Sequence, residues 1–299
     1  MGQISALLLR IHSGGVLMYS ILQNVVCEGD NMKKSNLVKA FAVMAIVAAG
    51  AFFVGCADPA GAGGSTGGSG TFGTKASGVA KAVGDIVFND GSATPYTETL
   101  TLTPKQKAAA IAVIFKVDGG KALGVGLKHD KDRLAWCIGS ANAFSTNITT
   151  IQCPATGSAG NYTFTGDTDG SDNLEQIVSF LTTAGLVNDT TGTDADKRYP
   201  VFYFAKNYKN TATNLTATYE NGWYLPTIAE LFDIWKVKAT VEAASNLCDG
   251  SQFGTSWYWS SSQAVTYDKG ACLFHFDNGD WLEIQDIVCF DVCAVRAFN

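Results

Sequence analysis

Cysteines, histidines and clustered carboxylates are where chemistry would begin in this chain of 299 residues. Beyond Cys27 and Cys56 lie Cys137, Cys153, Cys248, Cys272, Cys289 and Cys293. An even number permits disulfides in an exported protein, and a local bridge between Cys137 and Cys153 is one such pairing. A nucleophilic thiol needs a pKa lowered by a neighbouring base or cation. No recurring Cys/His spacing supplies that setting. The histidines are His12, His129 and His275, too scattered to read as an acid–base centre. His129, within Lys128-His129-Asp130-Lys131, reads as a solvated loop residue. The sequence therefore predicts no catalytic residue, no metal ligand set and no cofactor.

Two constellations need weighing. Asp167-Thr168-Asp169-Gly170-Ser171-Asp172-Asn173 has the look of a calcium loop. A calcium loop of the EF-hand type wants Gly at its sixth position and Glu at its twelfth. Here those positions hold Asp172 and Val178, so a capped turn entering a helix is the better reading. Trp223, Tyr224, Trp257, Tyr258, Trp259 and Trp281 could stack sugars, but most of them read as core anchors of a short-stranded fold.

The elements that must position these residues are mostly strands. Asn278-Gly279 is a strong two-residue hairpin signal, which would set Phe276 opposite Trp281 and Asp277 opposite Asp280. One face then carries Cys272, Phe274, Phe276, Trp281, Glu283 and Gln285, and reads as the core face. The other carries Leu273, His275, Asp277, Asp280, Leu282 and Ile284. Its mixture of apolar groups, imidazole and carboxylates does not suit a face chosen for folding. Upstream, Gly84–Phe88, Ala109–Val117, Ala122–Leu127 and Leu134–Cys137 read as strands. Helices are expected over Leu174–Leu186, Tyr199–Tyr208 and Thr227–Asn246, the last opened by a Thr227/Glu230 capping box.

Composition bounds the class. The chain is 46% hydrophobic and 16% charged, with a net charge of −6, and this acidic balance argues against a nucleic-acid partner. Thirty-two glycines suit a loop-rich fold. From Met32, Lys33, Lys34 and Lys39 precede an apolar run of roughly 15 residues, which is a signal-peptide pattern too short to span a membrane. The run closes on Phe53-Val54-Gly55-Cys56, similar to a bacterial lipobox. Cys56 would carry a multi-chain lipid anchor strong enough to hold the protein on a membrane. Residues 1–31 read as an upstream extension, 32–55 as the signal, 56–78 as a Gly/Ser tether and 79–299 as the folded domain. Such a tether has a reach of roughly 20 Å.

Three segments resemble a known family. They are Asn221-Gly222-Trp223-Tyr224-Leu225-Pro226-Thr227-Ile228-Ala229-Glu230-Leu231, then Tyr258-Trp259-Ser260-Ser261-Ser262, then Val295-Arg296-Ala297-Phe298. Together they resemble the C-type-lectin-fold domain of formylglycine-generating-enzyme-like proteins. Within that superfamily the chain looks most like the variable proteins of diversity-generating retroelements, of the treponemal lipoprotein type. The resemblance implies an α+β, C-type-lectin-like fold of short antiparallel strands with about three helices. It also implies a first strand that pairs with the last. In such elements template adenines are mutagenised, so asparagine and tyrosine codons scatter while Trp, Gln and Glu are not reached from the asparagine codon.

Applied here, the resemblance implies a variable region over about 249–293. Trp257, Trp259, Gln263, Trp281, Glu283 and Gln285 would be fixed, and Cys272 and Cys289 would be products of scattering. The implied ligand-binding residues are Ala264, Val265, Tyr267, Asp268, Leu273, His275, Asp277, Asp280, Leu282, Cys289, Phe290 and Asp291. Their partner would be a surface protein or glycan, bound by a monomer held at the bacterial outer membrane through Cys56. The Glu-Pro-Asn, Gln-Pro-Asp and Trp-Asn-Asp motifs of calcium-dependent lectins are absent from the chain. The rival implications are a formylglycine-generating-type oxidoreductase and an invariant adhesin or carbohydrate-binding domain.

Overall fold

A computed structural model of the chain describes residues 70–266 and 269–298. The expected signal segment, Cys56, and the positions Tyr267 and Asp268 lie outside those residues. The described chain is α+β, with mostly antiparallel sheets and six short helices.

In chain order the first elements are β1 (Asp85–Phe88), β2 (Ala93–Pro95), α1 (Pro104–Ala109), β3 (Ala110–Asp118), β4 (Lys121–Gly126) and β5 (Asp130–Ala135). A small hairpin of β6 (Ala155–Ser158) and β7 (Asn161–Phe164) leads to α2 (Asn173–Thr183), α3 (Ala195–Arg198) and α4 (Pro200–Lys206). Next come β8 (Trp223–Tyr224), α5 (Ile228–Lys236) and α6 (Lys238–Leu247). The chain ends in β9 (Trp257–Gln263), β10 (Gly270–His275), β11 (Asp280–Gln285), β12 (Cys289–Val292) and β13 (Val295–Phe298).

Two sheets organise these strands. One has the order β2-β1-β3-β4-β13-β8, the other β11-β10-β9-β12-β5. The unbroken apolar run of β3 follows from burial on both faces. Val113 and Phe115 pack with Ile228, Leu231, Ile234 and Val241 of α5 and α6. Ala112 and Ile114 belong to a second core with Phe202, Tyr208 and Trp223.

The first strand does not pair with the last. β1 pairs with β2 and β3, while β13 pairs with β4 and β8. The tight Gly119-Gly120 turn makes β3 and β4 a hairpin, and that hairpin stands between the two ends. The long helix expected over Thr227–Asn246 is two helices, because Val237 leaves helical angles at φ −116° and ψ 17°. Its capping box is present as expected: Thr227 Oγ1 accepts from the Glu230 N–H, and the Glu230 carboxylate from the Thr227 N–H.

Folded structure begins earlier than Val79. Lys75 bridges to Ala93, and Phe72 packs on Phe88 with ring centroids 6.0 Å apart. Gly73 is not a flexible spacer. A Cβ there would meet the Ala93 carbonyl oxygen at 2.4 Å, so the close approach of two backbones demands glycine.

The C-terminal hairpin has a different register from the one its turn dipeptide suggests. Leu273 pairs with Leu282, Phe274 with Trp281 and His275 with Asp280, leaving a four-residue loop. A two-residue turn of the expected type needs positive φ at both Asn278 and Gly279. Gly279 alone takes it, at +69°. Asn278 instead turns its Oδ1 back to accept from the Asp280 N–H at 3.1 Å. A shift of two residues preserves side-chain parity, so both faces keep their expected members. Asp277 and Asp280 are not opposed.

Candidate ligand-binding face of the C-terminal sheet

The aromatic face of the hairpin is core, as its residue types suggest. Phe274 and Phe276 are fully buried and Trp281 is nearly so. Phe276 stacks on Phe253 with centroids 4.0 Å apart, and Phe274 meets Phe232 edge-on.

The mixed face divides into a buried part and an exposed part. Leu273 is 1% exposed and Leu282 is 9%, both joining a core with Trp259, Ile284 and Val292. Ala264, Cys289 and Asp291 are buried as well. These five residues are not the open surface expected of them. The reason is that β9 and β10 bury both faces: alternate residues of β10 belong to two different cores.

Asp291 also points the wrong way. Its register partner is Tyr258, whose neighbours are Phe253 and Phe276. Its carboxylate holds the Lys131 ammonium at 2.8 Å. Lys131 in turn donates to the Tyr258 hydroxyl oxygen, and Tyr258 lies 2.9 Å from His129 Nδ1. His129 is therefore not a solvated loop residue. Its ring packs on Phe253 at 4.6 Å, and desolvation, then the Lys131 charge, press its pKa down to about 3. A neutral imidazole can accept the Tyr258 proton at Nδ1. Burial pushes the Tyr258 hydroxyl above its usual range, so this chain of groups is a structural tie rather than a source of base.

What remains accessible is concentrated at the hairpin tip. Val265 and Asp277 are exposed, and His275, Asp280 and Phe290 are half-buried. Val265 belongs to the β9–β10 connection and Asp277 to the β10–β11 connection, so they sit at opposite ends of six-residue strands. That separation is roughly 20 Å. The tip group is the denser one. His275 lies on the half-buried Trp257, and its Nδ1 and Nε2 face Asn278 Oδ1 at 2.9 Å and the Thr255 carbonyl at 3.0 Å. Asp280 accepts from the Tyr162 hydroxyl at 2.6 Å, which ties the tip to β7. Trp235 fills the space behind Gly279, where a Cβ would meet its ring at 2.6 Å.

A set of polar side chains holds this sheet by bonding to main-chain atoms. Gln263, fully buried, accepts from the Ile148 N–H at 2.6 Å and donates to the Thr146 carbonyl at 2.6 Å. Glu283 accepts from the N–H groups of Val265 and Thr266, at 2.8 and 3.2 Å. Trp259 Nε1 donates to the Leu134 carbonyl, Trp136 Nε1 to that of Ser260, and Ser260 Oγ to that of Cys272. Ser262 Oγ accepts from the Ile228 N–H. Sequence reasoning missed these clamps. A Gln or Glu within an alternating strand carries no signal of where its amide or carboxylate will reach.

The thiols are placed for packing. Cys137, Cys153, Cys248, Cys272 and Cys293 are free and buried, so Cys137 and Cys153 are not bridged; Cys289 is disulfide-bonded. Burial raises the pKa of Cys153 and Cys248 to about 12 and pushes Cys137, Cys272 and Cys293 well above the usual thiol range. Thiols in that state are poor nucleophiles at neutral pH.

The Asp167–Asn173 segment is a capped turn. Asp169 accepts from the Ser171 N–H at 3.0 Å and pairs with Lys121 at 3.2 Å. Desolvation raises Asp167 to about 6. Among the described residues, no group of three or more His, Cys, Asp or Glu side chains is arranged to hold a metal ion. No helix of the described residues is long and apolar enough to cross a membrane.

No protein-family model matches the chain, and no curated protein matches it. Among solved structures it is similar to a fimbrial protein from Bacteroides ovatus, at 13% sequence identity and a TM-score of 0.48. The match covers 72% of this chain and 48% of the fimbrial protein, so the chain spans about half the length of that neighbour.

Proposed function

We propose that this chain is a lipid-anchored bacterial surface protein whose C-terminal, C-type-lectin-like domain presents a ligand-binding face diversified by a retroelement. The observation that carries the reading is the way the terminal sheet is held. Gln263, Glu283 and Trp259, which the family resemblance implies are fixed, bond to main-chain atoms, Glu283 accepting in addition from the Thr266 hydroxyl. A backbone clamped in this way does not depend on which side chains stand at the exposed positions. Rigid backbone with changeable contacts is the logic of a paratope.

The binding group is the hairpin tip. It comprises the Trp257–His275 stack with Asp277, Asn278 and Asp280, and excludes the buried Leu273, Leu282 and Asp291. The raised thiol pKa values favour this reading over a cysteine-dependent oxidase. Anchoring at Cys56 and display at the outer membrane belong to the same proposal.

The test is a library randomised at Val265, His275, Asp277 and Asp280 in the full-length protein, screened for folding and for altered binding. Most members should fold, because the main-chain clamps are untouched: changes at exposed Val265 and Asp277 move stability by about ±0.5 kcal/mol, and loss of the His275–Trp257 stack costs about 0.5–1.5 kcal/mol. A near-copy of the coding sequence for residues 250–299, differing at adenines and lying beside a reverse-transcriptase gene, is the expected genomic counterpart. A library that mostly fails to fold, or a locus without that copy, would overturn the proposal.

A further inference from the structure

A separate cleft of about 470 Å³ opens where β4, α2, α4, β8 and β13 meet. None of its lining comes from the C-terminal hairpin. Its charges do not cancel. Lys121 is neutralised by Asp169 at 3.2 Å, but among the described residues no ion pair reaches Lys206 or Arg296. Glu175 is the one carboxylate in the lining.

Arg296 is the anomaly. Its Nη2 donates to the Thr218 carbonyl at 3.0 Å, and its guanidinium lies over Tyr219 at 5.0 Å. Its Nε and Nη1 are buried with no hydrogen-bond acceptor. A half-buried cation without a counter-charge costs stability and calls for an explanation. It shares the lining of the cleft with Lys206, in a protein whose net charge is −6.

The lining also decides what kind of body would fit. Leu174, Phe202, Trp223 and Leu225 lie at the floor and are at most 9% exposed, so they offer little apolar surface. The exposed members are Lys121, Ser171, Glu175, Lys206, Asn221 and Gly222, all but the glycine polar. We infer that the cleft binds a small hydroxylated carboxylate, the chemistry of a uronic-acid sugar, with its carboxylate at Lys206 and its hydroxyls at Asn221, Ser171 and Glu175. Arg296 acts through its charge. Gly222 leaves room for Nη1, since a Cβ there would lie 3.2 Å from it.

Calorimetric titration of the full-length protein with D-glucuronate, D-galacturonate and D-glucose at low ionic strength tests this. At least one uronate should bind at least about ten-fold more tightly than glucose, a difference of about 1.4 kcal/mol. Lys206→Glu, a surface change that leaves the fold intact, should abolish the preference, and Arg296→Gln should weaken uronate binding. If Arg296→Gln does not fold, Lys206→Ala and Lys206→Glu carry the test between them. Absence of uronate binding, equal binding of glucose, or uronate binding unchanged in Lys206→Glu would each overturn the inference.

Discussion

His275 lies flat against Trp257, with ring centroids 4.3 Å apart and planes 16° from parallel. The two residues are register partners on β10 and β9, so the stack fastens the hairpin tip to the strand that enters the sheet. It also shields one face of the half-buried Trp257 and leaves the tip a single unit of aromatic ring, amide and carboxylate.

Such a pair is worth about 0.5–1.5 kcal/mol beyond the area it buries. A double-mutant cycle on Trp257→Ala and His275→Ala, read by urea denaturation, should return a coupling energy in that range. Additive single-mutant effects would mean that the stack is a coincidence of register. The tip would then be two independent side chains rather than one platform.

Asp286 sets a pH dependence. It is fully buried, the Cys137 thiol donates to its Oδ2 at 3.2 Å, and its Oδ1 has no partner. Desolvation raises its pKa from 3.8 to about 7. The folded state therefore holds a proton that the unfolded chain releases near pH 4. Folding binds protons across that window, so this group's contribution is fully present below pH 4 and is lost as pH rises through about 7. Inside the window each pH unit costs about 1.4 kcal/mol. Glu230, raised by burial to about 7, adds a slope of the same sign. The difference in unfolding free energy between wild type and Asp286→Asn, measured from pH 4 to 8, should grow in favour of the variant and level off above about pH 7. A difference that stays flat would show that Asp286 is ionised in the fold.

Much of the scaffold was legible because it rests on local pattern. The run of β3 and the Thr227/Glu230 box announce themselves through residue types alone. So does α1, opened by Thr103-Pro104-Lys105-Gln106 with a full capping box, although its shortness let it pass unread. The candidate site was less legible because its decisive facts are long-range. Asn278-Gly279 favours a two-residue turn in isolation, but Trp235 behind Gly279 and Tyr162 on Asp280 accompany a wider loop. Leu273 and Leu282 look misplaced on a polar face until a second core containing Trp136, Ile148 and Ile151 is counted. Tertiary packing overrode the local pattern at both places.

The clamps lead to the last prediction. Gln263 is fully buried, and replacing it with alanine removes the partners of the Ile148 N–H and the Thr146 carbonyl together. A buried backbone group left unsatisfied costs about 1–3 kcal/mol, so Gln263→Ala should destabilise by about 3 kcal/mol or more. Glu283→Gln should cost about 1–3 kcal/mol, because the Val265 and Thr266 N–H groups bond to different carboxylate oxygens and only one of them keeps its acceptor. Val265→Asn and Asp277→Asn, at exposed positions without such duties, should stay within about ±0.5 kcal/mol. Urea denaturation of the four variants side by side reads the contrast directly. If the exposed substitutions cost as much as Gln263→Ala, the sheet depends on its surface side chains, and a face built to tolerate change is the wrong description of it.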